Sequence, residues 1–277
     1  MSDIPEHVKW LIDTKELLTT ADGKTVEVWE FCHQPDENVL SAWAKHFRNH
    51  YCFDEEIDYF RKGLGCSRAE FLTKIKFPDD KKAPGPSIRA GDFGEILVAD
   101  FLESILGFWV PRARYGAKVV NNESSKGCDT IGFLFAKEGE ESPKDKMAIF
   151  ETKARLTTDH LTTDDKASGF QSAINDSAKD EIRKACSLNY LKQQLYYRKK
   201  YDEADRVGRF QNSQDHPYKE LYGAAGVFSD ESYIPKTITE ANAETHPGRV
   251  SLRLIVIRGP KLMDLVCELY KRAADEA

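Results

Sequence analysis

The sequence predicts an α/β fold, in which a central mixed β-sheet is flanked by helices and preceded by an N-terminal α+β region. Residues 24–31 alternate polar and apolar side chains, as a strand does when one face is buried. Residues 147–150 form an apolar run, and 250–257 are almost continuously apolar, as in strands covered on both faces. Apolar residues at helical spacing complete the pattern, over 38–51, 92–106 and 173–201.

The region before residue 87 holds smaller elements. Helix 38–51 follows the first strand, and two short helices are predicted over 55–64 and 67–75. Ser67 and Glu70 form a capping-box pattern at the start of the second. Prolines and a glycine among charged residues predict a linker over 76–87. We therefore divide the chain into an N-terminal region, 1–86, and a larger domain, 87–277.

Two central strands bring acidic residues to one place. Asp129 opens the first strand, and Glu151-Thr152-Lys153 ends the second. Between them, 137–146 is polar and contains glycine and proline, which predicts a hairpin connection. A further acid, Glu95, lies near the start of the apolar face of the preceding helix. The order is acid on one strand, then acid-any-lysine on the next.

These residue types suit the metal-dependent hydrolysis of phosphodiesters. Mg²⁺, for which Mn²⁺ can substitute, takes oxygen ligands, and Asp129, Glu151, the Thr152 carbonyl and Glu95 would supply them. Lys153 alternates with Glu151 and so leaves the same face of the strand, where its ammonium would orient water or steady the phosphate. Without a cation, two carboxylates about 4 Å apart repel by roughly 4 kcal/mol at an effective dielectric near 20.

Each of these residues also has a structural interpretation. A lone Glu-x-Lys triplet is typical of a solvated strand face, and a salt bridge or helix-dipole contact would explain Glu95. His46 and His50, one turn apart, fit a polar helix face better than metal binding. Cys128 is expected to be a small buried residue. Six scattered cysteines without a CxxC pair argue against structural zinc and against a disulfide framework.

Nucleic-acid contacts are predicted on the helix 173–201. Basic residues alternate there with tyrosines, which suits a phosphate backbone and stacked bases, although a solvated face is the default. The residues singled out for DNA binding are Lys192, Gln193, Tyr197 and Arg198. Three cations before the first catalytic strand could join them: Arg112, Arg114 and Lys118.

Composition restricts the class of protein. The 277 residues are 40% apolar and 31% charged, as in a folded globular protein. The net charge of −6 argues against indiscriminate nucleic-acid binding by the whole surface. No apolar run approaches the roughly 20 residues that span a bilayer, and the N-terminus lacks the features of a secretory signal. We expect a cytoplasmic protein without a membrane partner.

The order of these elements resembles the PD-(D/E)xK nuclease superfamily over residues 89–201. The resemblance implies a restriction-endonuclease-like core with Glu95, Asp129, Glu151 and Lys153 as its catalytic set. Gln193 and Tyr197 resemble the Q-x(3)-Y element of the branch that includes RecB-type nucleases. One departure is that Asp129 follows Gly-Cys rather than a proline.

Three blocks resemble a narrower family: Gly91 to Leu97, Gly127 to Asp129, and Phe150 to Lys153. They are similar to HamA, the nuclease subunits of Hachiman antiviral defence systems. The resemblance implies a DNA substrate, a role against phage, and a helicase partner subunit, HamB, that controls the nuclease. The region 1–86 holds no acid constellation, so we expect it to serve partner docking.

Two alternatives stay open. The chain could be a restriction or DNA-repair nuclease of the same fold. It could also be a non-catalytic subunit that binds DNA or a helicase, although such a subunit has no need of the complete set of Glu95, Asp129, Glu151 and Lys153.

Overall fold

A computed structural model describes residues 4–158 and 163–277, with the backbone alone for 163–168. Its described strands form one six-stranded sheet in the order β1-β2-β6-β5-β4-β3. The inner strands β2, β6, β5 and β4 are parallel, and the edge strands β1 and β3 pair antiparallel. The strand bounds are β1 Leu11–Thr19, β2 Thr25–Phe31, β3 Thr130–Leu134, β4 Lys146–Arg155, β5 Lys219–Ser229 and β6 Arg253–Gly259.

Helices cover both faces of this sheet. The α-helices are α1 Glu37–Tyr51, α2 Asp54–Arg61, α3 Arg68–Phe71, α4 Gly85–Ser104, α5 Thr163–Ser177, α6 Asp180–Tyr197, α7 Tyr201–Gly208, α8 Pro235–Thr239 and α9 Leu262–Asp275. The predicted α/β class is confirmed, and the mixed sheet between helices is consistent with a restriction-endonuclease-like core.

Strand β4 shows how the two layers are divided. Ala148 and Phe150 lie in the core formed with α1, α4 and α9. Met147 and Ile149 lie in the core formed with α5, α6 and α7. Because side chains alternate along a strand, the residues after Phe150 continue this division between the two faces.

The N-terminal strands belong to the same sheet as the rest of the chain. Strand β2 pairs in parallel with β6, so that Val28 lies opposite Val256. Side chains of β2, α1, α4 and α9 share one core. The predicted division at residue 86 falls in the first turn of α4.

Two helix predictions needed correction, and one strand was missed. Helix α4 begins at Gly85 rather than near residue 92, because a proline in a helix's first turn costs no hydrogen bond. The single helix predicted over 173–201 is wrong: α5 ends at Ser177, α6 ends at Tyr197, and Lys199 at φ +60° separates α6 from α7. Strand β1 was not predicted, because its burial does not alternate and its register shifts between Asp13 and Leu17.

Candidate active site

Helix α4 lies very close to β4 where the two elements cross. A Cβ on Gly94 would come within 3.0 Å of Ala154 Cβ and 3.4 Å of Thr152 Cγ2. A glycine at this position therefore lets the helix approach the strand closely. The next residue, Glu95, lies in the third turn of α4 rather than at its opening.

Asp129 immediately precedes β3 and is tied to β4. Its Oδ2 accepts the backbone N–H of Thr152 at 3.0 Å. Gly127 has φ +97°, a conformation that favours glycine. The N–H of Cys128 then donates to Ser187 Oγ on α6 at 3.0 Å. These contacts hold the Asp129 carboxylate beside Glu151-Thr152-Lys153. Cys128 itself is buried, as predicted.

Glu151 and Lys153 leave the same face of β4. Lys153 Nζ lies 2.7 Å from Glu151 Oε1 and 2.8 Å from Asp176 Oδ2 on α5. Glu151 is buried, and its Oε2 has no hydrogen-bond partner among the described residues. An ionised oxygen left in this way is costly unless a cation or a proton satisfies it.

Two acids of this site were missed by the sequence analysis. Asp176, near the end of α5, holds Lys153, and Asp180, the first residue of α6, is fully buried. Both carboxylate oxygens of Asp180 lack a hydrogen-bond partner in the described structure, and Arg183 Nη1 is 3.9 Å away. The available signal was two acids four residues apart, in the helical stretch that follows β4 along the chain.

Arg114 bridges two of the predicted acids. Its Nη2 donates to Asp129 Oδ1 at 2.9 Å, and its Nε lies 3.5 Å from Glu95 Oε2. The hydroxyl of Tyr115 donates to the same Glu95 oxygen at 2.6 Å. Glu95 therefore has both a salt bridge and a hydrogen bond in this conformation.

The cations before β3 are committed to internal ion pairs. Arg112 pairs with Asp100 and Glu103, and Lys118 Nζ lies 2.6 Å from Asp92 Oδ2. With Arg114 bound to Glu95 and Asp129, the structure does not support the expectation that these cations contact DNA. A basic run in a sequence does not reveal that buried acids elsewhere in the chain neutralise it.

The surroundings of the site disfavour the charged form of its carboxyl groups. Burial raises the pKa of Glu95 to about 8, and the charge on Asp129 adds to it while Arg114 opposes it. Burial and Asp129 likewise raise the pKa of Glu151 to about 8, against the contact with Lys153. Burial raises the pKa of Asp180 to about 7. Nearby acids that resist ionisation mark a site that a divalent cation would stabilise.

The donor set suits a hard cation. Asp129 and Glu151 offer oxygen ligands only, and Oε2 of Glu151 is not hydrogen-bonded. These two residues therefore fit Mg²⁺ or Mn²⁺. The Glu95 carboxylate instead contacts Arg114 and Tyr115. Among the described residues, the carboxylate oxygens of Glu95, Asp129 and Glu151 do not all lie within 4.8 Å of one another.

A cavity of about 420 Å³ adjoins Asp129. Residues Cys186 and Tyr190 of α6 form part of its wall. Gln193 and Tyr197 continue the same helical stripe and are exposed to solvent. The stripe thus leads from Asp129 along the surface of α6, which suits a strand of nucleic acid.

The other two residues predicted to bind DNA lie elsewhere on α6. Lys192 Nζ lies 3.3 Å from Gln211 Oε1, beside the end of α7. Arg198 donates to the carbonyl of Arg112 at 3.1 Å and stacks on Phe53. The geometry favours Gln193 and Tyr197 as contacts with a ligand, and the DNA-binding roles of all four stay predictions.

Without metal, the raised pKa of Glu151 predicts a pH-dependent loss of stability. The folded protein keeps a proton on Glu151 up to pH about 8, whereas the unfolded chain releases it near 4.5. Stability therefore falls as pH rises through that window, by on the order of a few kcal/mol.

Unfolding of the wild type and of Glu151→Gln in EDTA at several pH values measures this effect. The variant should gain stability relative to the wild type between pH 5 and 8. If the difference in stability between the variant and the wild type stays constant across that range, the pKa of Glu151 is not raised by burial.

Comparison with known families gives a clear result. A family model for HamA matches residues 6–273 of the chain. The chain belongs to the HamA family. HamA proteins are components of the Hachiman antiviral defence system. No curated protein and no solved structure matches the chain.

The HamA match extends over the N-terminal region as well as the candidate site. It begins at residue 6, in the segment before β1, and ends in α9. The predicted resemblance to HamA is therefore confirmed over nearly the whole chain. In the described part of this HamA-family protein, no helix is long and apolar enough to cross a membrane.

Proposed function

We propose that this HamA-family protein is a Mg²⁺-dependent deoxyribonuclease, the effector of a Hachiman system under the control of a partner helicase. The observation that carries the proposal is the contact of Lys153 with Glu151 beside Asp129, with one Glu151 oxygen left without a partner. The resemblance to PD-(D/E)xK nucleases supports the same chemistry.

The side chains have separable tasks in this proposal. Asp129 and Glu151 would hold Mg²⁺, which when bound polarises a phosphoryl oxygen and lowers the pKa of a bound water. Lys153, set between Glu151 and Asp176, presents a fixed positive charge to the phosphate in the transition state. Arg114 balances Glu95 and Asp129 in the present conformation.

The alternatives are distinguishable. A restriction or repair nuclease would use the same site, and the HamA match favours a defence role instead. A non-catalytic subunit is disfavoured by the cost of burying Asp180 and one Glu151 oxygen without hydrogen bonds, because a binding surface has no use for such acids.

Incubation of supercoiled plasmid with the purified full chain tests the proposal. Mg²⁺ and Mn²⁺ should support cleavage, Ca²⁺ should support it poorly because it accepts looser and higher coordination, and EDTA should abolish it. Full activity in excess EDTA would rule the proposal out, as would intact plasmid under all metal conditions.

Asp176 is expected to position Lys153. Asp176→Asn should slow cleavage about 10-fold, as is typical when an outer partner of a functional side chain is removed. Asp176 holds Lys153 through an ion pair, so the loss should appear in the single-turnover rate while Mn²⁺ binding is unchanged.

Lys179→Ala is the matched control, because Lys179 contacts the other oxygen of Asp176 without touching Lys153. An unchanged single-turnover rate in Asp176→Asn, with the fold intact, would show that Asp176 has only a structural role.

We place helicase docking in the N-terminal region. Of its three tryptophans, Trp29 and Trp43 are buried and cannot serve, and Trp10 is partly buried against the same core. Four other apolar side chains are exposed after α1, over α2 and the turns that follow: Tyr59, Phe60, Leu64 and Ile75. Exposed aromatic residues are common hot spots of interfaces, so we place helicase docking here.

Replacing Tyr59 and Phe60 with alanine should weaken co-purification with the helicase subunit at least about 10-fold, as expected for aromatic hot spots. Cleavage by the isolated chain should be unaffected. Tyr196→Ala, an equally exposed tyrosine on α6, is the control. Full binding by the double variant would place docking on another surface.

A further inference from the structure

A second polar cluster is built around Asp100, five residues beyond Glu95 on α4. Asp100 Oδ2 is 3.1 Å from His7 Nε2, and Asp100 Oδ1 is 3.2 Å from His46 Nε2. The three residues come from the segment before β1, from α1 and from α4. Among the described residues, they are the group of three whose potential ligand atoms all lie within 4.8 Å of one another.

We propose that His7, His46 and Asp100 form a binding site for a transition-metal cation of the zinc type. Zinc accepts imidazole nitrogens at about 2.0–2.1 Å and carboxylate oxygens at about 2.0–2.2 Å, so tetrahedral ligands lie roughly 3.3 Å apart. The two nitrogen–oxygen separations, 3.1 Å from His7 to Oδ2 and 3.2 Å from His46 to Oδ1, are close to that value, so the Asp100 carboxylate presents one oxygen to each imidazole. Imidazole ligands favour zinc over Mg²⁺.

Hydrogen bonding alone explains the cluster poorly. His46 Nε2 lies 3.2 Å from Asp100 Oδ1 and also 3.3 Å from Nε2 of His50. One ring nitrogen carries either a proton or a lone pair, so it meets both neighbours only through a shared, weak contact. A cation between the nitrogens and the carboxylate would remove this conflict.

The surroundings match those of a metal ligand. Arg112 Nη2 donates to Asp100 Oδ1 at 2.8 Å, an outer contact of the kind that orients ligating carboxylates. Arg112 also pairs with Glu103, so two carboxylates against one guanidinium leave one net negative charge.

The site is open to solvent on one side and joins two segments of the chain. His7 and Asp100 are buried, whereas 35% of the His46 side chain is exposed, which leaves a path for the ion and an open coordination position. His50, buried rather than on the expected polar face, is the nearest further donor. A bound ion would fasten the segment before β1 to α4, the helix that also carries Glu95.

Zinc binding by the purified full chain tests the proposal. After dialysis against trace zinc, elemental analysis should find one equivalent, held with a dissociation constant of about 1 µM or tighter against a chromophoric chelator, as for sites built from several protein ligands. Zinc should raise the melting temperature of the wild type. His46→Ala and Asp100→Asn should each lose the zinc.

Two controls identify where the zinc binds. His216→Ala, at a surface pair with Glu141, and Asp129→Asn should both retain one equivalent. His46→Ala is partly exposed, and an unchanged circular dichroism spectrum would show that it folds. The proposal is overturned if the folded wild type yields all its zinc to the chelator, if His46→Ala keeps it, or if Asp129→Asn loses it.

Discussion

Glu151→Gln should abolish metal-dependent cleavage while leaving the fold intact. The substitution removes the carboxylate charge but keeps the side-chain size. It therefore removes the proposed anionic metal ligand and the ion pair with Lys153 together. We expect at least a 10³-fold loss of rate, which corresponds to about 4 kcal/mol of transition-state stabilisation. Because burial disfavours the charged form of Glu151, the metal-free variant should be no less stable than the wild type.

Glu220→Gln is the matched control for this substitution. Glu220 also lies on a central strand and pairs with a lysine, Lys184. It lies beside Met147, four residues along β4 from Glu151, or roughly 13 Å. Plasmid cleavage and thermal melting of both variants give the comparison. Equal activities would mean that Glu151 has no part in catalysis.

Lys153→Met should cause a comparably large loss by a different route. Methionine keeps the length and apolar character of the lysine stem and removes only the ammonium. Removing one preorganised positive charge from the transition state typically costs 10²–10³-fold in rate, about 3–4 kcal/mol. Metal binding should survive or tighten, because Glu151 and Asp176 lose a competing cation.

Lys184→Met provides the control, since Lys184 pairs with Glu220 away from the site. Single-turnover cleavage, together with titration of Mn²⁺ into each variant, separates the chemical step from metal binding. If Lys153→Met cleaves DNA at the wild-type rate, Lys153 has no part in catalysis. Loss of Mn²⁺ binding in that variant would make its role structural.

The parts of the site that follow from local pattern were predictable. The apolar run before Glu151 and the hairpin after Asp129 placed both acids on adjacent strands. Strand alternation put Glu151 and Lys153 on one face, and their 2.7 Å contact agrees with it. Strands β4 and β6 were predicted from their apolar runs, which are typical of buried strands.

What the sequence analysis missed depends on contacts between distant segments. Arg114 appeared as a free cation, yet it bridges Glu95 and Asp129. Asp176 and Asp180 lay within one predicted helix, and only the break between α5 and α6 brings them to Lys153 and Cys128. No local pattern connects His7 with Asp100, which are 93 positions apart.

The most direct test is to locate Mn²⁺ in crystals of the protein by anomalous diffraction. We expect a peak within roughly 2.2 Å of one carboxylate oxygen each from Asp129 and Glu151. Lys153 should keep its contact with Asp176, and Arg114 should lie farther from Asp129. The proposed metal-dependent nuclease site would be contradicted if crystals in saturating Mn²⁺ showed no anomalous peak between Asp129 and Glu151 and kept the contact of Lys153 with Glu151.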